Sequence, residues 1–535
     1  MHDHTGLRQR GLSGWCAIER LFDAAFGSGL NPLRHLGAIG FLAFWLLAAS
    51  GVVLYALFDT SASGAWHSID ALREAPLGLG RLLRGVHRYS ADLMVLAMGL
   101  HVLREWLHGH ERGFRRFSWL TGVPLVVFAF VAAIVGFWLN WDELGQFSAI
   151  ASAELVDALP FLPTPMARNF IGSAAVSDRL FSLFVFVHIG VPLLLLFGLW
   201  FHIQRITRAA VFPPRPLLLG TLGTLALLAL AVPVVSHAPA ALARVPAELR
   251  IDWLLLFVNP LTAATSPAVV WTLLTLVLLT LFVLPFVPAR AGRAGRAQVA
   301  VVDPGNCSGC QRCFADCPYA AITMVPHPNQ RVGRLLASVD ADLCAGCGIC
   351  AGACPSSTPF RHTVDLITGI DMPQLPVGAL RARLRLALDA QRAAGIAQPL
   401  VVFGCDHGAA CASAIEGARD ASAFSLLCAG QLPPSFVEYA LRDGAAGVLV
   451  APCRDGGCEF RLGALWTVER LQGRREPHLR ARVPAERVEL VHADRGDETL
   501  VGAALARLRT RVGTLVATEP EAPPAWAVAR EPVHG

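Results

Sequence analysis

Charge is scarce in this sequence. Asp, Glu, Lys and Arg make up 16% of its 535 residues, where ordinary soluble domains carry about a quarter. With 54% hydrophobic residues and a mean hydropathy of +0.50, a wholly water-soluble chain is excluded. Basic residues exceed acidic ones by only five, which gives no reason to invoke nucleic acid. Cysteine is nearly missing from the first 300 residues: Cys16 stands alone, and the other thirteen lie between Cys307 and Cys458. No Walker loop and no G-x-G-x-x-G after a strand is present, so no nucleotide site is expected within the chain. C-x-x-C-H is also missing, so no covalently attached haem is expected. A cleavable signal peptide is not expected either. Residues 1–30 are charged and lack a long apolar run, and WCAIERLFDAAF reads as an interfacial helix.

What is present is a set of long apolar runs. Six spans are read at about 34–57, 82–107, 118–139, 179–204, 216–236 and 267–288, each long enough to cross roughly 30 Å of hydrocarbon. The second contains RGVHRYSADLMVLAMGLHVLR, with His87 and His101 fourteen residues apart. At 3.6 residues per turn that is close to four turns, so both imidazoles leave one helix face about 21 Å apart. The fourth span repeats the spacing with His188 and His202. Ionisable groups inside a span are rare and default to function. Side by side, the two helices set His87 opposite His188 and His101 opposite His202. Each pair suits axial ligation of one haem iron from both sides. Arg84 and Arg104 lie one turn outside the histidines, placed to pair with haem propionates or to snorkel to the interface. Gly37 and Gly51 of the first span are also fourteen apart. They admit either a haem edge or a neighbouring helix. Pro192 follows His188 by four residues, where it kinks the span.

Arginines follow the second span (Arg104, Arg112, Arg115, Arg116), the fourth (Arg205, Arg208, Arg215) and the sixth (Arg290, Arg293, Arg296). The segment after the third is acidic (Asp142, Glu143, Glu154, Asp157). The positive-inside rule then puts both termini in the cytoplasm, with His87 and His188 near the outer face and His101 and His202 near the inner face.

Over about residues 30–210, these paired glycines, the two His-x13-His spans, the flanking arginines and the proline resemble the membrane cytochrome b of quinol-oxidising complexes. The resemblance implies a four-helix bundle with a low-potential haem b near the outer face, a high-potential haem b near the inner face, and a quinone site near each. The family's PEWY signature is missing. In its place stands AELRIDWLLLF, with Asp252–Trp253 where Glu–Trp is expected. Asp252 is read either as a quinol proton acceptor or as an interfacial Asp beside a belt Trp. The resembled family is dimeric, which makes a homodimer an open possibility.

The cysteine-rich half begins after a small basic linker, AGRAGRAQVA. Two runs follow: Cys307-x2-Cys310-x2-Cys313-x3-Cys317-Pro and Cys344-x2-Cys347-x2-Cys350-x3-Cys354-Pro. This is the bacterial spacing for two [4Fe–4S] clusters in which the fourth ligand crosses over. Cluster one is assigned Cys307, Cys310, Cys313 and Cys354, and cluster two Cys344, Cys347, Cys350 and Cys317. Structural zinc normally pairs two CxxC knuckles instead. Residues 300–367 resemble a two-cluster ferredoxin. The amphipathic segment 376–397 reads as a connecting helix or a membrane-surface anchor.

From Pro399, PLVVFGC and AGVLVAPC read as buried parallel strands with helical segments between and after them, a small α/β sheet. Cys405, Cys411, Cys428, Cys453 and Cys458 follow strand ends, where open α/β sheets place their sites. FGCDHGAAC, LLCAG and APCRDGGCEF resemble the delta subunit of methyl-viologen-reducing hydrogenase over about residues 399–515. The resemblance implies a [2Fe–2S] cluster on Cys405, Cys428, Cys453 and Cys458, and a flavoprotein partner like the heterodisulfide reductase A chain. Cys411 stands at an altered spacing, and its role stays open.

The fold expected is multidomain. Residues 1–290 form an all-α transmembrane bundle of about six spans and 291–370 an α+β ferredoxin-like domain. Residues 371–397 are a linker helix, 398–517 a small α/β iron–sulfur domain, and 518–535 a disordered tail. The function expected is an oxidoreductase subunit of the inner (cytoplasmic) membrane that joins quinone to a cytoplasmic flavoprotein, heterodisulfide-reductase-A-like or pyridine-nucleotide-dependent. Its cofactors are two haems b, two [4Fe–4S] clusters and one [2Fe–2S] cluster, and either direction of flow is open to it. A membrane-anchored redox sensor has the same centres, but no kinase, cyclase or DNA-binding segment is seen. The spans show none of the broken helices of a transporter.

Overall fold

The computed structural model describes residues 6–160, 165–170, 176–244, 248–287, 298–328, 334–361, 366–454 and 456–518. The linker up to residue 297, with Arg290, Arg293 and Arg296, and the tail beyond residue 518 lie outside them. The chain forms two compact units: Met1–Arg205 with Ala209–Gly292, and Ile206–Arg208 with Arg293–Gly535.

The first unit is helical. In order come α1 (Gly6–Phe26), α2 (Leu36–Leu57), α3 (Ala65–Asp70), α4 (Leu79–His108), α5 (Arg116–Asn140), α6 (Glu143–Asp157), α7 (Asp178–Ile203), α8 (Arg215–Ala231), α9 (Val258–Ala264) and α10 (Pro267–Val283). Helix α2 packs along α4 and α5 along α7. Ala43, Phe44, Met94, Leu125, Ala129 and Leu195 make a core shared by these four helices. Four helical segments among the described residues are long and apolar enough to cross a membrane: 36–57, 113–140, 178–203 and 267–286. Helix α4 has the length, 30 residues or about 45 Å, but carries Arg81, Arg84, Arg88 and Asp92 among its apolar residues. Helix α8 stops at Ala231, short of the expected 236. The next residue, Val232, precedes Pro233, whose ring drives it out of the helical region to φ −126°, ψ 76°. Asp142 is buried: its Oδ1 caps α6 by accepting from Gly145 N (2.8 Å), and its Oδ2 accepts from His237 N (2.9 Å).

The second unit is mixed. Strand β1 (Val301–Val302) pairs antiparallel with β4 (Ile370–Asp371), and β2 (Ile322–Pro326) with β3 (Leu335–Val339). Two five-residue helices, α11 (Arg312–Asp316) and α12 (Ile349–Ala353), carry the third cysteine of each run. Beyond them β5 (Leu400–Cys405), β6 (Ala421–Leu426), β7 (Gly447–Ala451) and β8 (Val488–Leu490) form a parallel sheet in the order β6-β5-β7-β8. The remaining helices are α13 (Val377–Ala393), α14 (Cys411–Ala414), α15 (Ser435–Arg442), α16 (Gly463–Leu471) and α17 (Glu498–Thr518). Alternate strand residues serve two faces, as a pleated sheet requires. Val401, Phe403, Val448 and Val450 meet α13 and α15, while Leu400, Val402 and Leu449 meet α17.

This corrects the reading of 371–397 as a linker or membrane-surface anchor. Val377, Leu380, Leu384 and Leu388 of α13 are buried against the sheet, so the helix is one of its layers. Strands β5 and β7 match the two apolar runs. Strands β6 and β8 went unread because one mixes Ser and Ala with its apolar residues and the other is three residues long.

Candidate metal centres

The helical geometry decides where the four histidines go. The imidazoles of His87 on α4 and His188 on α7 face each other with ring centres 6.3 Å apart. A metal between two imidazoles, bonded at about 2 Å to each, needs a gap of that order. Three of the four rings are steadied at Nδ1. Ser50 Oγ lies 2.9 Å from His87 Nδ1, the Ala132 carbonyl 3.0 Å from His188 Nδ1, and Thr121 Oγ1 3.4 Å from His202 Nδ1. Glu105 Oε1 lies 4.0 Å from His101 Nδ1. Fixing one ring nitrogen fixes the tautomer and leaves Nε2 to a metal.

A glycine backs every one of these rings. A Cβ placed on Gly37 would lie 3.6 Å from His101 Cε1, and one on Gly51 would lie 3.2 Å from His87 Cε1. On α5, Gly122 stands in the same way to His202 (3.1 Å) and Gly136 to His188 (3.0 Å). The α5 pair is again fourteen apart and was missed in the sequence reading. The signal was there, since it repeats in the third span the spacing seen in the first.

The two arginines behave differently. Arg84 donates to Asn140 Oδ1 (3.1 Å) and Ser236 Oγ (2.9 Å), but its Nη1 is buried with no partner. A buried guanidinium with a free donor beside an imidazole pair suits a propionate carboxylate. Arg104 is taken up by Glu19 (2.9 Å) and Glu105 (3.4 Å). Asp252 accepts from the backbone of Leu254 (3.1 Å) and Leu255 (2.7 Å) and pairs with Arg88, which also holds Asp92 at 2.6 Å. That triad, two carboxylates on one cation, was not foreseen. Arg88 and Asp252 are 164 residues apart in the chain.

In the second unit the two cysteine runs are offset by 37 residues and repeat their backbone. Gly309 and Gly346 have φ of +70° and +69°, and Gln311 and Gly348 +65° and +75°. At Gly348 a side chain would also strike Gln431 and Met372. Such left-handed residues turn successive N–H groups inward towards an anionic centre. Cys317 Sγ already accepts from Ala321 N at 3.3 Å. Cys317, Cys344, Cys347 and Cys350 line one cavity with Tyr319, Ile322 and Ile349. Cys313 feels Cys354 first, then Cys310 and Cys307. The fourth ligands are thus brought across as the spacing requires. Burial pushes the Cys313 thiol up to about 12 and raises Cys350 well above its usual value, so only coordination keeps these sulfurs as thiolates near neutrality.

The four cysteines Cys405, Cys428, Cys453 and Cys458 gather at the strand ends. Cys405 accepts hydrogen bonds from the Cys428 and Cys453 thiols, which hold it well below its usual value, and Cys458 is held down by the same two donors. Cys411 stays out of this ring. It is buried in the core on the α17 side of the sheet, and burial pushes it up to about 11. Gly463 is where the two iron–sulfur candidates meet. A Cβ there would run into Cys428 Sγ and lie 3.5 Å from both Cys458 Sγ and Ile349 Cδ1. Ile349, between Cys347 and Cys350, therefore lies against the same glycine as Cys428 and Cys458 of the four-cysteine group.

A helical bundle with apolar spans and facing imidazoles, followed by clustered cysteines, defines an integral membrane protein for electron transfer. Three family descriptions match it in succession: cytochrome b/b6/petB over residues 22–210, a 4Fe-4S dicluster domain over 306–358, and the delta subunit of methyl-viologen-reducing hydrogenase over 400–515. Segments similar to these three families thus follow one another in the chain, in that order. Among solved structures it is similar to one titled "Hyperthermophilic respiratory Complex III", at 21% identity and a TM-score of 0.38, over 48% of this chain and 75% of that one.

Proposed function

We propose that this chain is the membrane subunit of a quinone-linked oxidoreductase. Through two haems b and its iron–sulfur clusters it exchanges electrons between quinone and a cytoplasmic flavoprotein, heterodisulfide-reductase-A-like or pyridine-nucleotide-dependent, docked on residues 399–515. The observation that carries the reading is the adjacency at Ile349. The four-cysteine group and the Cys317/Cys344/Cys347/Cys350 cavity share that side chain, so cluster two, not cluster one, neighbours the [2Fe–2S] site. When bound, haem and iron–sulfur groups supply one-electron carriage.

The chain's own residues do the rest. His87 with His188, and His101 with His202, would hold the two haems, and the glycines leave room for the imidazole rings. Arg84 offers its free Nη1 to a propionate. Cys405, Cys428, Cys453 and Cys458 hold the [2Fe–2S] centre, and Cys411 packs beside them without ligating. Asp252, paired with Arg88, takes a proton from quinol at the outer face. In this reading the protein lies in the cytoplasmic membrane with both termini and all the cysteine runs in the cytoplasm.

Anaerobically purified protein, with iron and haem quantified and redox-titrated optical and EPR spectra recorded, tests this. Two low-spin bis-histidine haems and about ten non-haem irons per chain are expected. Eight irons would remove the [2Fe–2S] centre, and missing haem would overturn the quinone link. The chain alone should not turn over NAD(P)H.

A further inference from the structure

Between the two neighbouring iron–sulfur candidates lies a buried cation that ligation does not require. Arg470 on α16 is 1% exposed and is the largest fully buried side chain among the described residues. Its Nη2 is 2.5 Å from Asp316 Oδ2, and its Nη1 donates to the Gly430 carbonyl at 2.8 Å. Its Nε is buried with no hydrogen-bond partner. Asp316 is itself 3% exposed and also pairs with a second arginine, Arg475, at 2.7 Å, which Glu469 holds in turn at 2.7 Å. Arg475 lies flat on Trp466, and the Trp466 indole donates to the Asp316 carbonyl at 3.2 Å. Two guanidinium groups and two carboxylates thus balance in charge, and what is left unmatched is the buried Arg470 Nε–H. A buried donor without a partner is strongly unfavourable unless something that can accept from it stands nearby.

The location says what that is. Asp316 immediately precedes Cys317. A Cβ on Gly352, inside the Cys350-x3-Cys354 stretch, would lie 2.8 Å from Arg470 Nη1. Burial pulls the Arg470 guanidinium down, Asp316 pushes it back, and Cys428 is the one thiol among the groups that act on it. In a four-thiolate iron–sulfur site the thiolates and sulfides outweigh the iron charge, so the site is anionic. Reduction adds one more negative charge.

We propose that Arg470 is a positioning residue for electron transfer: its buried guanidinium and unpartnered Nε–H stabilise the added electron on the four-cysteine centre and raise that centre's reduction potential. Potentials of iron–sulfur centres respond to net charge and to hydrogen bonds on sulfur. The step is one electron from a reduced flavin of the partner onto the centre, one ferric iron becoming ferrous, with no bond made or broken and no proton moved. The inference rests on the reading of Cys405, Cys428, Cys453 and Cys458 as a [2Fe–2S] site.

The test is an EPR-monitored redox titration of the full chain, anaerobically purified, with iron quantified and dithionite as reductant. Arg470→Met should lower the [2Fe–2S] potential by tenfold or more in the reduction equilibrium, 59 mV for one electron. Arg470→Lys, which keeps the charge and loses the Nε–H, should fall between the two. Asp316→Asn removes the buried negative charge facing Arg470 and should shift the potential upward. It keeps the idea falsifiable where Arg470→Met fails to load iron. A fully loaded Arg470→Met with an unshifted signal, or an Asp316→Asn that does not rise, overturns the proposal. If the unsubstituted chain holds eight irons and gives no [2Fe–2S] signal, the cluster assignment itself falls, which is a distinct result.

Discussion

Gly136→Val should remove one haem from the bundle. A Cβ at Gly136 stands 3.0 Å from Cε1, 3.5 Å from Nδ1 and 3.8 Å from Nε2 of His188. Carbon atoms are at rest about 3.5–4.0 Å apart, so the ring must retreat by roughly half an ångström or more. That retreat stretches the 3.0 Å contact between His188 Nδ1 and the Ala132 carbonyl past hydrogen-bonding range. Overpacking a filled site costs about 1–3 kcal/mol, and the lost hydrogen bond about 1 kcal/mol more. Loss of an outer-shell partner by itself weakens metal binding about 10–100-fold. Together, about 2–4 kcal/mol is lost at the His87–His188 site, and haem should fall from two per chain to one. The assay is haem quantified per protein with low-temperature EPR of the remaining centre. Gly220→Val on α8, where a Cβ meets nothing within 4 Å, is the control and should keep both haems. A Gly136→Val protein with both haems and unchanged spectra would refute the argument that these glycines make room for ligand rings.

The other expectations are read with the same preparations. Cys428→Ala should reduce non-haem iron from about ten to about eight per chain, while Cys411→Ala should leave it at ten. Because the Cys411 thiol titrates near 11, only about a thousandth of it is thiolate at pH 8. Alkylation there should be slow and should climb tenfold per pH unit until the pH approaches 11. Arg84→Met should weaken haem retention or lower the potential of the haem at the His87–His188 site, since a charge-assisted hydrogen bond contributes about 1.5–3 kcal/mol. An unchanged titration curve would leave Arg84 as a purely structural contact to Asn140 and Ser236. Asp252→Asn should slow quinol-driven haem reduction by roughly a hundredfold or more with haem content intact. An unaltered rate would mean that the Arg88–Asp252 pair is structural.

How legible all this was depends on the distance over which each feature is set. The facing histidines were legible because fourteen residues is nearly a whole number of helical turns, a periodicity fixed by local backbone geometry. The glycines of α5 obey the same rule and were simply not looked for. Helix α13 was misread because an amphipathic basic helix looks alike whether its apolar stripe meets a membrane or a sheet, and only the buried Leu380, Leu384 and Leu388 decide between them. The early end of α8 was legible in principle from Pro233.

The sequence by itself determined which histidines and cysteines are candidates to hold metal. Three cysteines at two-residue spacing can close on one cluster whatever surrounds them, and imidazoles four turns apart share a face of any straight helix. Only the tertiary structure decided that Cys411 stands apart from the other four, that Asp252 and Asp92 share Arg88, and that Arg470 reaches across 154 residues to the carboxylate beside Cys317. Contacts of that kind follow from which distant segments pack together and how buried charge is matched once they do. No local spacing encodes that matching, because it appears only when the chain has excluded water from between them.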